Sequence, residues 1–408
     1  MIENLHNTCV RLAFVAPLFI LGAFLQGCSL QPLIKEFPVS DGPRVEQVWS
    51  TQVGDGVGKY YSKLMPVVTE KTIYVADTKG VVLAVDRRSG DVVWKKALDV
   101  SIGGGLFAGY GLVLLGSSDG ELLVLDQRNG EEKWRVGLSG EILAPPQSNG
   151  KLIVVQTSDG SLYALDAAAG QQKWVYKTVV PVLSLRGTST PHIMENQVLA
   201  GFANGKFVSI SLDTGIPKWE AVVALPQGRS ELERIVDVDG RFVIDGEIAY
   251  VSAYQGKVVA IELSSGRILW NRELSSHVGL ESSLSNLYLS TSSGELLALD
   301  QSNGVELWRQ EKLLDRKPTV PVKMGPYLVV ADIEGYLYWI SQIDGKIALE
   351  HRISGRTDRE NPLSKNKAVY QSITREAGNG IRTPVSVKGD ELYLLNNHGE
   401  LKALSLIK

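Results

Sequence analysis

Between Gly80 and Leu349 a fifteen-residue pattern recurs seven times, opening on glycine and, in six copies, closing on tryptophan. The six are GVVLAVDRRSGDVVW at 80–94, GELLVLDQRNGEEKW at 120–134, GSLYALDAAAGQQKW at 160–174, GKFVSISLDTGIPKW at 205–219, GKVVAIELSSGRILW at 256–270 and GELLALDQSNGVELW at 294–308. The seventh, GYLYWISQIDGKIAL at 335–349, has Leu349 in place of tryptophan, and an eighth opens at Gly399 and stops with the chain. Successive opening glycines stand 40, 40, 45, 51, 38, 41 and 64 residues apart. A period of about 40 built from short strands is the spacing of a propeller blade, which buries its faces only by stacking on its neighbours.

Each copy reads as strand, turn, strand. The apolar run Leu122–Leu125 is nearly continuous, as a strand buried between two blades requires. The turn closes on a glycine such as Gly130, which accepts positive φ. Another strand lies upstream, for example Leu152–Val155. Pro66, Pro146, Pro191 and Pro321 each stand 14 residues before their copy's glycine and mark a further strand at an inner edge, where a missing N–H is tolerated. Blades therefore have four strands. The eighth copy lacks its outer strand, and an unassigned strand, Val45–Trp49, stands ahead of the first copy with a tryptophan at its end. Together they complete one blade. The expectation is an all-β, eight-bladed β-propeller of four-stranded antiparallel blades, its ring closed by the N-terminal strand, which removes an open edge.

Tryptophan recurring at one place per blade reads as blade-to-blade packing, with the ring N–H donating to a backbone carbonyl. Asp86, Asp126, Asp166 and Asp300 read as turn formers scattered around the ring, unable to converge on one catalytic centre. His6, His192, His277, His351 and His398 show no metal spacing. These features imply no metal, no cofactor and no catalytic residues. A net charge of −3, with no charged tail, argues against a nucleic-acid partner.

The chain opens differently. Residues 12–25 are an unbroken apolar run of 14, too short to span a bilayer as a helix but the size of a signal-peptide core. Leu25-Gln26-Gly27-Cys28 follows and resembles the lipobox of bacterial lipoproteins, with Gln26 where a small residue is usual. That resemblance implies cleavage before Cys28 and lipidation there, and Ser29 in place of aspartate implies the outer membrane. Cleavage removes Cys9 and leaves one cysteine, so no internal disulfide can form. The division expected is a signal peptide over 1–27, a lipidated tether over 28–44 and the propeller over 45–408.

The repeat, A-x-D-x-x-x-G-x-x-W or one residue longer, resembles the tryptophan-docking repeat of quinoprotein dehydrogenases. An alternative reading is thus a small pyrroloquinoline quinone enzyme. The chain is short for the insertions that build such active sites, and the cysteines do not suit the cofactor. Lipobox, eight short blades and loop motifs together resemble the BamB family, lipoproteins of the outer-membrane β-barrel assembly machinery. That resemblance covers the whole chain. It implies a non-enzymatic periplasmic scaffold, lipid-anchored in the outer membrane, that binds the periplasmic domains of BamA and supports folding and insertion of nascent outer-membrane proteins.

Three stretches break the repeat: 179–187, 225–239 and 350–380. Departures from a repeat are where binding concentrates. Arg186 and Asp237 each stand 19 residues before their blade's glycine, Gly205 and Gly256, which puts them at equivalent places on adjacent blades. Leu183, Leu185, Arg186, Asp237 and Asp239 then form an apolar spot beside opposite charges. They also match the Leu-Ser-Leu-Arg and Asp-x-Asp motifs that bind the partner in the BamB family. On loops, all five are expected to be replaceable without opening the blade cores.

Overall fold

The computed structural model describes residues 42–58, 63–185, 187–353 and 380–407. They form eight four-stranded antiparallel sheets. Blade one runs through Val67–Val68, Thr72–Ala76, Val81–Asp86 and Val92–Ala97. Blades two to seven repeat that meander. Inner strands touch at seven of the eight joints, that of blade eight against that of blade one included, and His192 packs against Phe242 at the joint of blades four and five, so the sheets form a ring. Pro66, Pro146, Pro191 and Pro321 each directly precede an inner strand, at the edge where no ladder N–H is needed.

Blade eight takes Ser386–Lys388, Glu391–Leu395 and Glu400–Ile407 from one end of the chain and Arg44–Gln52 from the other. The register runs from Arg44↔Ile407 to Gln52↔Glu400, with a bulge at Gln47/Trp49. The closing strand is longer at both ends than the 45–49 expected from sequence. Side chains lock the joint to blade one. Arg87 pairs with Glu391, Lys388 pairs with Glu70, and the Thr51 hydroxyl donates to the Gly90 carbonyl at 2.6 Å.

Seven tryptophans dock seven of the eight blades onto the next. The ring N–H of Trp49 donates to the Arg87 carbonyl at 3.1 Å, that of Trp174 to Leu212 at 2.7 Å and that of Trp308 to Gln342 at 3.0 Å. Trp94, Trp134, Trp219 and Trp270 do the same. The ring also lies on the next blade's turn glycine. Gly215 has φ +72°, and a Cβ there would strike Trp174. The glycine and the tryptophan of the pattern are thus two halves of one contact.

Blade seven departs for a physical reason. In six of the other blades the tryptophan pairs with alanine or serine, as in Ala84↔Trp94 and Ala298↔Trp308, and in blade two with Val124. In blade seven the sizes are exchanged, with Trp339 opposite Leu349. The third and fourth strands of blade eight come from opposite ends of the chain, so no turn glycine joins them. A docking tryptophan would have nothing to lie on. Leu349 instead packs beside Leu404, Leu406 and Val45.

The motif aspartates are turn formers, as expected. Asp86 accepts from the backbone N–H groups of Arg88 and Ser89, and Asp166 from those of Ala168 and Ala169.

Candidate functional site

The chain leading into the inner strand of each blade runs along one face of the ring. Two of these segments, before blades four and five, carry the sequence-predicted site. They are brought together as expected. Gly187 lies so close to the Asp239 carboxylate that a Cβ there would collide with it, and the Val238 N–H donates to Phe202 of blade four at 3.3 Å. Arg186 lies outside the described residues, as do Cys28, the signal segment, the tether up to residue 41, and nearly all of 350–380, whereas Arg44 of the expected tether belongs to the closing strand.

Exposure divides the described four. Leu183 is 40% exposed and Leu185 is half-buried, but Asp237 and Asp239 are only 1% and 7% exposed. The expectation that all five can change without harm to the fold is therefore corrected for the buried aspartates. The chain carrying them turns inward. The Asp237 carbonyl accepts from Tyr254 N–H at 2.8 Å, which fixes the segment to blade five.

What lies beneath is a charge cluster that no repeat signal marks. Lys63, before blade one, is half-buried, and its ammonium donates to the backbone carbonyls of Thr188 and, at 2.5 Å, Asp239. Blades one and five stand opposite in a ring of eight, so this lysine crosses the axis and ties blades one, four and five together. Burial pushes the Asp237 carboxyl well above the usual carboxylate range, and the neighbouring Asp239 pushes it further. Lys63 and the backbone N–H groups of Leu185 and Val238 oppose that rise. Burial also raises Asp239, against the pull of Lys63 and His277. The same burial lowers Lys63, which both aspartates resist. The Lys63 charge makes the acids' charges tolerable and they do the same for it, while the two acids oppose each other.

Beside Lys63 is an axial cavity of about 400 Å³ with a largely apolar wall. Every blade contributes to it: Met65, Leu106, Pro145 and Pro191 from the first four, Phe242, Val278, Val320 and Pro384 from the rest. Among the described residues no group of three His, Cys, Asp or Glu is placed to hold a metal ion.

Above the cluster, the two loops expose large apolar side chains. Val182 is 95% exposed, and Val179, Leu225 and Leu232 are exposed as well. The second loop is a built turn. The Glu233 carboxylate accepts from Arg229 and Ser230 N–H, and the Ser230 hydroxyl accepts from Glu233 N–H, the reciprocal logic of a capping box. Val179 is held by its carbonyl, which accepts from the Asn204 amide at 3.0 Å. Sequence reasoning named Leu183 and Leu185 and passed over Val179, Val182, Leu225 and Leu232, although all lie in stretches that break the repeat.

Comparison with known proteins follows the same outline. A family model described as "Outer membrane protein assembly factor BamB" matches residues 42–136, 78–310 and 292–406. The outer membrane protein assembly factor BamB of Pseudomonas aeruginosa is 48% identical over 361 residues, 87% of this chain and 95% of its own. That of Alkalilimnicola ehrlichii is 41% identical over 405 residues, 99% of both chains. The crystal structure of BamB from Moraxella catarrhalis superposes with a TM-score of 0.77 at 25% identity, over 89% of this chain and all of that one. A quinohemoprotein alcohol dehydrogenase from Comamonas testosteroni shares the fold alone, at 14% identity and a TM-score of 0.67 over 88% of this chain and 76% of its own. With matches of this identity running from the closing strand to the last blade, the chain belongs to the BamB family of outer membrane protein assembly factors.

Proposed function

We propose that this propeller is a non-enzymatic scaffold of outer-membrane protein assembly, and that it docks the periplasmic domains of BamA on the rim formed by the loops before blades four and five. One observation carries the reading. In a ring of near-identical blades, two adjacent non-repeating loops expose Val179, Val182, Leu183, Leu225 and Leu232 together. Exposed apolar side chains clustered on a rigid base are the composition of an interface core. Asp237, Asp239 and Lys63 sit under this rim and set its shape, and Arg186 completes the motif in sequence.

Because the aspartates are buried, the clean test uses the exposed residues. Val182→Glu with Leu183→Glu is expected to leave the melting temperature near that of the parent. It should cut co-purification with BamA at least about thirtyfold, since truncating or charging an interface anchor costs roughly 2 kcal/mol or more. Full-yield co-purification by a normally folded double variant would sink the proposed surface.

Anchoring is part of the same proposal. Lipidation of Cys28, after cleavage of 1–27, would hold the propeller at the outer membrane facing the periplasm, since acyl chains each contribute about 0.8 kcal/mol per buried CH₂. Cys28→Ala should leave the protein soluble or with its signal uncleaved. A processed variant that still sediments with outer membranes would contradict the anchor.

A further inference from the structure

Three consecutive blades place a basic residue at matching points ahead of their inner strands: His277 before Leu280–Ser283, Lys317 before Val322–Met324 and Arg382 before Ser386–Lys388. All three line one cavity of about 260 Å³, with the hydroxyl residues Thr291, Ser292 and Thr319 between them. No aspartate or glutamate lines it. Arg309, by contrast, is an exposed cation paired with Glu295 and Glu306. Among the described residues, neither Lys317 nor Arg382 has a carboxylate within ion-pair distance, and the Arg382 Nε is buried without a hydrogen-bond partner. Lys317 is held at φ +50° in a turn that also has Asp315 at φ +62°.

We propose that this cavity is an anion site for a phosphate or phosphate-ester group. The geometry favours that chemistry over a single carboxylate. Basic side chains from three consecutive blades line it, which suits an oxyanion with several acceptor oxygens, while the hydroxyls between them are held by neighbours, Thr291 by Ser293 at 2.8 Å and Ser292 by Ser275 at 2.8 Å. The cavity is several times the roughly 30 Å³ that one water occupies in the liquid, so the phosphate can carry a substituent. The cluster around Lys63 does not cancel the site. Asp239 faces His277 from blade five, but its charge is shared with Lys63. Lys317 faces His277 from blade seven, and the Tyr254 ring packs edge-on against it at 6.4 Å. Burial and Lys317 hold the His277 imidazole below its ordinary range, and Asp239 opposes them. A bound dianion would favour the imidazolium, so His277 reports occupancy.

The test is an NMR titration of the intact protein with inorganic phosphate and, separately, glycerol 1-phosphate, each at constant ionic strength against chloride. The His277 signal is assigned by its loss in His277→Gln. Saturable binding that raises the His277 pKa is expected, weakened at least tenfold by Lys317→Gln and by Arg382→Gln, with melting temperatures near the parent's. A third arm uses vesicles containing phosphatidylglycerol. Sedimentation of the protein with them, lost in both variants, makes the natural source a lipid headgroup. Saturable binding of the soluble esters alone makes it a soluble phosphate compound. No saturable shift of His277, or equal binding by both variants, would overturn the site. The outcome is independent of where BamA docks.

Discussion

Deleting residues 44–52 is expected to abolish cooperative melting of the ring or to lower the melting temperature by more than any single substitution does. The strand pairs with Glu400–Ile407 along almost its whole length. Its Trp49 is the only docking tryptophan that joins blade eight to blade one, and it lies on Gly90 while donating to Arg87. Losing a tryptophan from such a contact costs about 3–5 kcal/mol. The deletion adds the lost ladder and bares the edge of Glu400–Ile407 to other chains. Against a total stability of roughly 5–15 kcal/mol, little is left. The opposite joint, between blades seven and eight, already lacks a docking tryptophan, so blade eight would be loose on both sides. Trp49→Ala alone should lose the 3–5 kcal/mol and still fold. Thermal melts with gel filtration decide the matter. A deletion that stays monomeric and melts like the parent would contradict closure by this strand.

The second large effect is expected from Lys63→Met. The variant fills the same space but withdraws the one described cation that faces both Asp237 and Asp239, and it leaves the Thr188 and Asp239 carbonyls without their donor. Breaking a buried charge set by removing one partner costs about 3–5 kcal/mol. The sign of its pH dependence follows from the aspartates. A carboxyl held above its ordinary range folds more readily when protonated, so the penalty grows as pH rises from that range toward the folded value. Without Lys63 both aspartates are raised further. The stability gap between variant and parent should therefore be widest near neutral pH and narrow as pH falls toward about 4. Lys63→Met with Asp239→Asn should recover part of the loss. Denaturant melts at several pH values measure this. A gap that is constant across that window would mean that Lys63 acts through packing alone.

Sequence periodicity made the blades legible because each carries the same buried strand, turn glycine and tryptophan. The swapped strand was visible as two half-patterns at opposite ends. The meaning of Leu349 was not visible, since it depends on blade eight having no turn to dock on. Lys63 escaped for a related reason. Its partners are 125 and 176 residues away, and nothing local marks a lysine that reaches across a ring. Asp237 and Asp239 are marked by their motif, but their burial is not. The motif says that two acids stand together, whereas burial depends on the facing lysine. Val182, Leu225 and Leu232 were passed over because apolar residues in a loop look like core until the surrounding blades are seen to be full.

The central claim is that the rim before blades four and five meets BamA. A photo-crosslinking side chain at position 182, in cells expressing the full chain, tests it most directly. The same group at position 128, an exposed turn on blade two, serves as the reference. The expected result is a specific adduct with the periplasmic domains of BamA from position 182 and none from 128. An adduct from 128 with silence at 182 would place the partner elsewhere on the ring and contradict the account.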